Sequence, residues 1–356
     1  MRRIFKTMKK SILWIFSFIS AISMVAQDVQ FSQYYNAPLY LNPAFTGSGL
    51  DTRVGANYRM QWPGVANPYR AFSVWADHDF YKAKSGVGFM LKQDVQGADK
   101  LRTTEASLLY SYQINLSDRW TLKPGIQAGF GARSNDLGQA TFGDQLTNNG
   151  NTGTATNDPL ATQGRTIYYP DISSGAIAYN RHMWFGFSAH HLNRPNHSFV
   201  ANQDSRLPIK WSLIGGYRIV LQQRQIAWGA PTRETSLTPT FLFKQQGPAQ
   251  QLDLGVYLIH NPFMAGLWYR GLPLKKVGSI RQHESLVLMA GINHNGLTIG
   301  YSYDMLVSSL SGIGSGAHEL TLIYQWQIDK SNRKGKQTHR PMPCPNVDRQ
   351  YKNFRQ

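Results

Sequence analysis

The chain has 356 residues, with 37 Lys and Arg against 20 Asp and Glu, a formal charge of +17, one cysteine and 12% aromatic residues. One cysteine excludes an intrachain disulfide framework, and a mean hydropathy of −0.37 excludes a bundle of apolar helices but not a barrel, whose strands need only every second residue apolar. The charge is largely terminal: Arg2, Arg3, Lys6, Lys9 and Lys10 precede Ser11, and eight basic residues against Asp348 follow Asp329, leaving a body of +5. That distribution argues against a nucleic-acid surface; a basic tail is usually a solvated, flexible end, and the sharper reading is docking to an acidic or polyanionic partner.

The first element is MRRIFKTMKKSILWIFSFISAISMVAQ, a basic stretch and then an apolar run from Ile12 to Val25. This is the layout of a secretory signal peptide, cleaved after Ala26. The run is shorter than the roughly 20 residues a helix needs to span a bilayer. Cys344 lies far from the cleavage point, so it is not the lipid-bearing first residue of a lipoprotein. Residues 27–50 come next, with neither a helical nor a strand period.

From residue 52 the chain alternates. In GLTIGYSYD, Leu297, Ile299, Tyr301 and Tyr303 oppose Thr298, Gly300, Ser302 and Asp304; in HELTLIYQWQI, Leu320, Leu322, Tyr324 and Trp326 share a face. In EASLLYSYQI, Leu108, Tyr110 and Tyr112 oppose Glu105, Ser107, Leu109 and Ser111. A period of two predicts strands near 52–60, 69–79, 85–92, 102–115, 120–133, 173–180, 182–192, 210–220, 235–245, 251–259, 263–270, 284–293, 297–304 and 318–328. The expected fold class is therefore all-β, a transmembrane outer-membrane antiparallel β-barrel of about 14 strands, since single-chain barrels use even counts.

Loop lengths set the expected orientation. FYKAK, LSDR, NR and HNG are tight inner turns; WPGVANP, the stretch from Ser134 to Asp171, NRPNHSFVANQDSRL, GLPLKKVGSIRQ and Met305–Ala317 are long outer loops. QQGPAQ is short for an outer connection, and Leu221–Glu234 is long for an inner one. Aromatics favour membrane interfaces, so Trp62, Tyr69, Trp120, Trp184, Trp211, Trp268, Tyr269, Tyr301 and Trp326 are expected at strand ends or on outward faces.

Residues 27–50 cannot lie in lipid with unsatisfied backbone groups. They are expected at the periplasmic mouth or inside the lumen as a plug or docking segment, with turns at Asn42-Pro43 and Gly47-Ser48. Phe31, Gln33 and Tyr34, together with Asn42, Pro43 and Gly47, are the residues that would hold it. The basic tail, 330–356, would then be periplasmic, with Cys344 a candidate contact.

Catalytic signals are sparse. His190 and His191 on one strand would point to opposite faces and cannot share a metal. There is no GxSxG elbow, so neither enzyme chemistry nor a cofactor is expected. Glu105, Asp253, His318 and Glu319 would line a polar lumen, paired with Lys123, Arg133 or Arg218.

QFSQYYNAPLYLNPAFTGSG, with Gln30–Tyr34, Asn42-Pro43-Ala44 and Gly47-Ser48, resembles the start of the PorP/SprF family of type IX secretion system membrane proteins. Further positions agree along the chain. They are Tyr58, Arg59, Gln61 and Trp62 in YRMQWPG; GYSYD with Tyr301, Tyr303 and Asp304; SGAHEL with His318 and Glu319; and Cys344-Pro345 in the tail. Phe45 replaces a small residue of the pattern, and Asn36-Ala37-Pro38 stands where a bulkier apolar residue is expected. The resemblance implies an outer-membrane barrel without enzymatic activity in a Bacteroidetes-type bacterium, supporting export or surface attachment of large substrates such as adhesins, and gliding motility. It implies as partners outer-membrane lipid, the secreted substrate proteins, and periplasmic ring, motor or peptidoglycan-binding components. Composition and alternation alone leave a passive porin as the alternative, with an outer-membrane enzyme behind it.

Overall fold

The computed structural model describes residues 28–49, 52–97, 101–135, 141–147, 150–158, 166–200, 203–224, 233–277, 280–307, 316–326 and 342–343. The expected leader, Cys344 and the basic tail apart from Met342 and Pro343 lie outside these.

The alternating segments form a closed antiparallel barrel of fourteen strands. They are β1 (Thr52–Gln61), β2 (Tyr69–Phe80), β3 (Ser85–Gln96), β4 (Leu101–Tyr112), β5 (Thr121–Ser134), β6 (Ile167–Tyr179) and β7 (Met183–His190). The circle continues with β8 (Lys210–Tyr217), β9 (Arg233–Gln246), β10 (Ala249–His260), β11 (Phe263–Val277), β12 (Ile280–His294), β13 (Leu297–Leu306) and β14 (Ala317–Trp326). Ile114–Asn115 prolongs β4, and Ile219–Arg224 prolongs β8. Each strand pairs with its neighbour in sequence, and β1 closes on β14 from Thr52↔Trp326 to Gln61↔Ala317. Closure removes the free edges that lipid would not tolerate.

Alternation puts the apolar set outside. On β14, Leu320, Leu322 and Tyr324 are exposed while Glu319, Thr321 and Ile323 are buried; on β4, Leu108, Tyr110 and Tyr112 are exposed while Glu105, Ser107 and Ser111 are buried. Exposed here means facing the surface that lipid covers. By loop length, the end bearing the long connections (62–68, 135–166, 191–209, 307–316) is termed the outer end and the end with the tight turns at 81–84, 180–182, 261–262 and 295–296 the inner one.

Four expectations need correction. GLPLKKVGSIRQ is not a loop: β11 runs to Val277 and β12 starts at Ile280, with register shifts after Arg270 and between Leu272 and Lys276. Those bulges accommodate Pro273, which has no N–H for a regular ladder. β6 begins at Ile167, before residue 173, so the long outer loop is shorter than the stretch from Ser134 to Asp171. Trp268 lies inside β11 and faces inward, buried in phase with Gly266 and Arg270; Trp184 stands at the start of β7 as expected, but it too is buried, in phase with Gly186 and Ser188 on the lumen side. His190 and His191 do not point to opposite faces: His191 adopts φ 59° just beyond β7, which breaks the alternation, and both rings are buried with centroids 6.4 Å apart.

Candidate functional site

A barrel of eight strands is filled by its own side chains, whereas sixteen or more leave a channel. Fourteen strands enclose space that inward side chains alone do not fill. Residues 28–49 occupy it. Of this segment, Phe31, Gln33, Tyr34, Leu39, Asn42, Ala44 and Thr46 are all essentially without solvent contact. It carries one short helix, α1 (Pro38–Leu41), between two tight turns at Tyr34–Asn36 and Pro43–Phe45. Prolines at the first positions of α1 and of the second turn suit a site where no backbone donor is needed.

Three polar clusters hold it. At the outer end, Asp28 receives hydrogen bonds from His191 Nε2 (2.8 Å), Lys210 Nζ (2.6 Å) and Gln246 Nε2 (3.0 Å), and its N–H donates to Gln246 Oε1 (3.1 Å). The other nitrogen of His191 meets Asp171 Oδ1 at 2.8 Å. Burial alone would push the His191 imidazole down, but the Asp28 and Asp171 carboxylates outweigh it and hold it up at about 9. The ring is therefore a cation clamped between two carboxylates. For Asp28 burial opposes ionisation, and His191 and Lys210 override it, keeping the carboxyl well below its ordinary range.

Further in, Ser32 joins four strands. Its N–H donates to Glu319 Oε2 (2.6 Å) and its hydroxyl donates to Asp304 Oδ2 (2.7 Å). Arg59 Nη1 (2.7 Å) and Arg270 Nη2 (3.0 Å) donate to the same hydroxyl. Asp304 Oδ2 also accepts from Arg59 Nη2 (2.7 Å) and Arg270 Nη1 (2.8 Å), Glu319 Oε1 accepts the N–H of Gln33 (3.0 Å), and Arg270 Nε reaches Asp253 Oδ1 at 3.3 Å. Charges this buried are tolerated because each is paired and hydrogen-bonded.

At the inner end, Gly47 N–H donates to Asp77 Oδ2 (2.7 Å), whose carboxylate also takes Arg53 Nε (2.9 Å). Gly47 has φ 62°, and a Cβ there would fall 2.7 Å from Gly86 Cα, so only glycine fits. Asn42 caps the turn at Pro43 by accepting the Ala44 N–H (2.9 Å), and its amide donates to the Phe187 carbonyl (2.9 Å). A Cβ on Gly125 of β5 would lie 2.4 Å from Ala44 N, so the wall gives way where the segment's backbone touches it.

Between the clusters the contact is aromatic. Tyr34 packs on Trp268 with centroids 4.8 Å apart, Tyr35 on Trp184 and Tyr257 (both 5.8 Å), and Phe31 edge-on to Tyr40 (5.2 Å). Met342 joins the cluster that contains Tyr34, Tyr35 and Phe45.

The residues singled out in the sequence therefore divide. Phe31, Gln33, Tyr34, Asn42, Pro43 and Gly47 are buried in the lumen, and Arg59, Asp304 and Glu319 converge on Ser32 there. Tyr58, Trp62 and Tyr301 are exposed, Gln61 is half-buried at the end of β1, and His318 bonds to Tyr301 OH (2.7 Å) beside the Tyr303 ring. His318 is thus on the outer face and not in the lumen. The expected lumen pairings also change: Glu105 pairs with Lys92, Asp253 with Arg270, Glu319 with Arg59, and Arg218 with Glu234. Sequence reasoning missed Asp28, Lys210 and Arg270, and it gave no such role to Ser32, inside the Gln30–Tyr34 motif, or to His191, weighed only as a metal ligand. Strand phase marks Arg270 and Lys210 as inward, but nothing local tells which residue they meet.

Over residues 23–324 the sequence matches the type IX secretion system membrane protein PorP/SprF family. The chain belongs to this family. Among curated proteins none matches it in sequence. Among solved structures, this PorP/SprF chain is similar to the P. putida toluene transporter TodX, with 9% identity, coverage of 83% of this chain and 95% of that one, and a TM-score of 0.46. It is similar as well to the outer membrane protein Omp33 of Acinetobacter baumannii, with 6% identity, coverage of 79% and 100%, and a TM-score of 0.42. Likeness this distant carries nothing about cargo; the PorP/SprF chain is an outer-membrane barrel and a type IX secretion membrane protein.

Proposed function

We infer that this PorP/SprF chain is a non-enzymatic component of type IX secretion that supports export or cell-surface attachment of specific large proteins such as adhesins, and through them gliding. The observation that carries this reading is the occupied lumen. A solute pore needs a hydrated path, whereas here the chain's own residues 28–49 are buried among charged and aromatic wall residues. The segment acts as a plug and not as a periplasmic docking element, because its side chains are spent on the wall. The outer loops are the surface offered to the exported protein. The basic tail meets the periplasmic ring, motor or peptidoglycan-binding components, after a signal peptide has been removed.

The test is deletion of the gene in the native host, with mass spectrometry of surface and culture-fluid proteins against wild type. Loss of one or a few large exported proteins, with precursors retained in the periplasm, is the expected result. An unchanged exported set with altered solute uptake would instead favour the porin reading.

A further inference from the structure

The chain leaves the barrel wall and then returns to the lumen. β14 ends at Trp326, opposite Thr52, at the inner end. Farther along, Met342 is only 2% exposed, and Pro343 is buried beside it. The connecting residues, 327–341, reach at most about 50 Å when extended. Fourteen strands about 4.8 Å apart and tilted about 40° enclose a mouth roughly 28 Å across, so the connection is long enough to reach any part of it.

Met342 belongs to one buried apolar cluster with Tyr34, Tyr35, Leu41, Ala44 and Phe45 of the plug. The wall side of that cluster includes Tyr179 and Trp184, which flank the turn at 180–182, and Ile259 and Met264, which flank the turn at 261–262. Both turns lie at the inner end, so the cluster extends to the side from which the tail arrives. The local sequence explains how the tail can enter. In RPMPCP, Pro341, Pro343 and Pro345 take every second place. Proline has no N–H, so Met342 is flanked by residues that bring no backbone donor to an apolar core, where an unpaired one is costly. A residue before proline is held extended, and the thioether of Met342 is flexible enough to fill an irregular gap between rings.

This part of the plug is the part that needs such support. From Tyr34 to Thr46 there is no charged side chain, whereas the outer half of the plug is tied into the charged clusters at Asp28 and Ser32. The inner half is held by a few neutral hydrogen bonds, such as Ser188 Oγ to the Leu41 carbonyl (3.2 Å), and by apolar contact. We propose that Met342-Pro343 is a strap by which the C-terminal tail locks the plug from the inner end. The strap completes the core only while the plug is seated. By linkage, whatever draws the tail out of the lumen loosens the plug, and opening of the plug frees the tail to the same degree. The proposal rests on residues 28–49 being a plug and on no exported protein.

The test follows hydrogen exchange of the full chain in detergent micelles. The amides of Ala37, Leu41, Phe45 and Thr46 are each bonded within the plug and report its inner half. Met342→Lys places an unpaired charge in the apolar cluster and is expected to speed their exchange about tenfold or more, with the strand amides of β4 and β5 unchanged; Met342→Leu should stay within threefold of wild type. Exchange within threefold of wild type in a folded Met342→Lys barrel would overturn the proposal. A second variant disturbs the cluster less: Met342→Cys in a Cys344→Ser chain should react with a maleimide at least tenfold more slowly in the folded protein than in urea, and equal rates would also overturn it. A steady open level from the wild-type chain in a planar bilayer would remove the plug reading and the strap with it. A silent wild-type channel beside unchanged exchange in Met342→Lys would remove the strap alone.

Discussion

Arg59→Met tests how the segment is held. The guanidinium bonds Ser32 Oγ and Asp304 Oδ2 at 2.7 Å each and approaches Glu319 Oε2 at 3.4 Å, all of them buried. Methionine keeps much of the side-chain length but removes the charge and the donors. Breaking a buried ion pair by removing one partner costs about 3–5 kcal/mol. The lower end applies here, because Arg270 still reaches Asp304 and the N–H groups of Ser32 and Gln33 still reach Glu319. At about 1.4 kcal/mol per decade, a loss of about 3 kcal/mol speeds local opening roughly a hundredfold. Hydrogen exchange at the Ser32 and Gln33 amides reads this directly, since both donate to Glu319. The expected result is a rise of that order in residues 28–36, with strand amides of β4 and β5 unchanged. Exchange within threefold of wild type in a folded barrel would refute the view that Arg59 anchors the segment.

Other consequences can be checked. Gly125→Val would drive a side chain into the backbone at Pro43 and Ala44, so protease cleavage within residues 40–48 should appear in the variant and not in wild type. Leu322→Arg puts a charge on the lipid face, opposite Ala56 and Ile299, and should cost about 2–4 kcal/mol in urea unfolding from vesicles. His191 is held up at about 9, above its ordinary value of about 6.5. Its contribution is therefore complete below about pH 6.5 and is lost as pH rises through 9. Exchange at residues 28–31 should accelerate between pH 8 and 10, after correction for the intrinsic rate, and His191→Gln should abolish that step.

Much of this architecture is legible in the sequence because a barrel strand writes its two environments on alternate residues. Glu319, Thr321 and Ile323 against Leu320, Leu322 and Tyr324 fix phase without any knowledge of neighbours. The same phase, applied to Trp184 and Trp268, would have placed both inside; grouping aromatics by residue type instead of by phase put them at the membrane. Arg59, Asp304 and Glu319 were visible as motif positions, but their meeting at Ser32 depends on β1 closing against β14, a contact between the two ends of the chain. Asp28 and His191 lay beyond reach for a similar reason. Their pairing needs the segment to run with Asp28 at the outer end and Gly47 at the inner end, and no local period sets that direction. The turn at His191 could not be anticipated either, since a left-handed histidine after a strand has no sequence signature of its own.

The central claim is that the barrel is closed by its own residues 28–49. Single-channel recording of the purified full chain in a planar bilayer tests it most directly. The account predicts no steady open level for the wild-type chain, and stepwise conductance of porin size once residues 28–49 are deleted and the barrel has refolded. A stable open level in the wild-type protein, unchanged by the deletion, would contradict it.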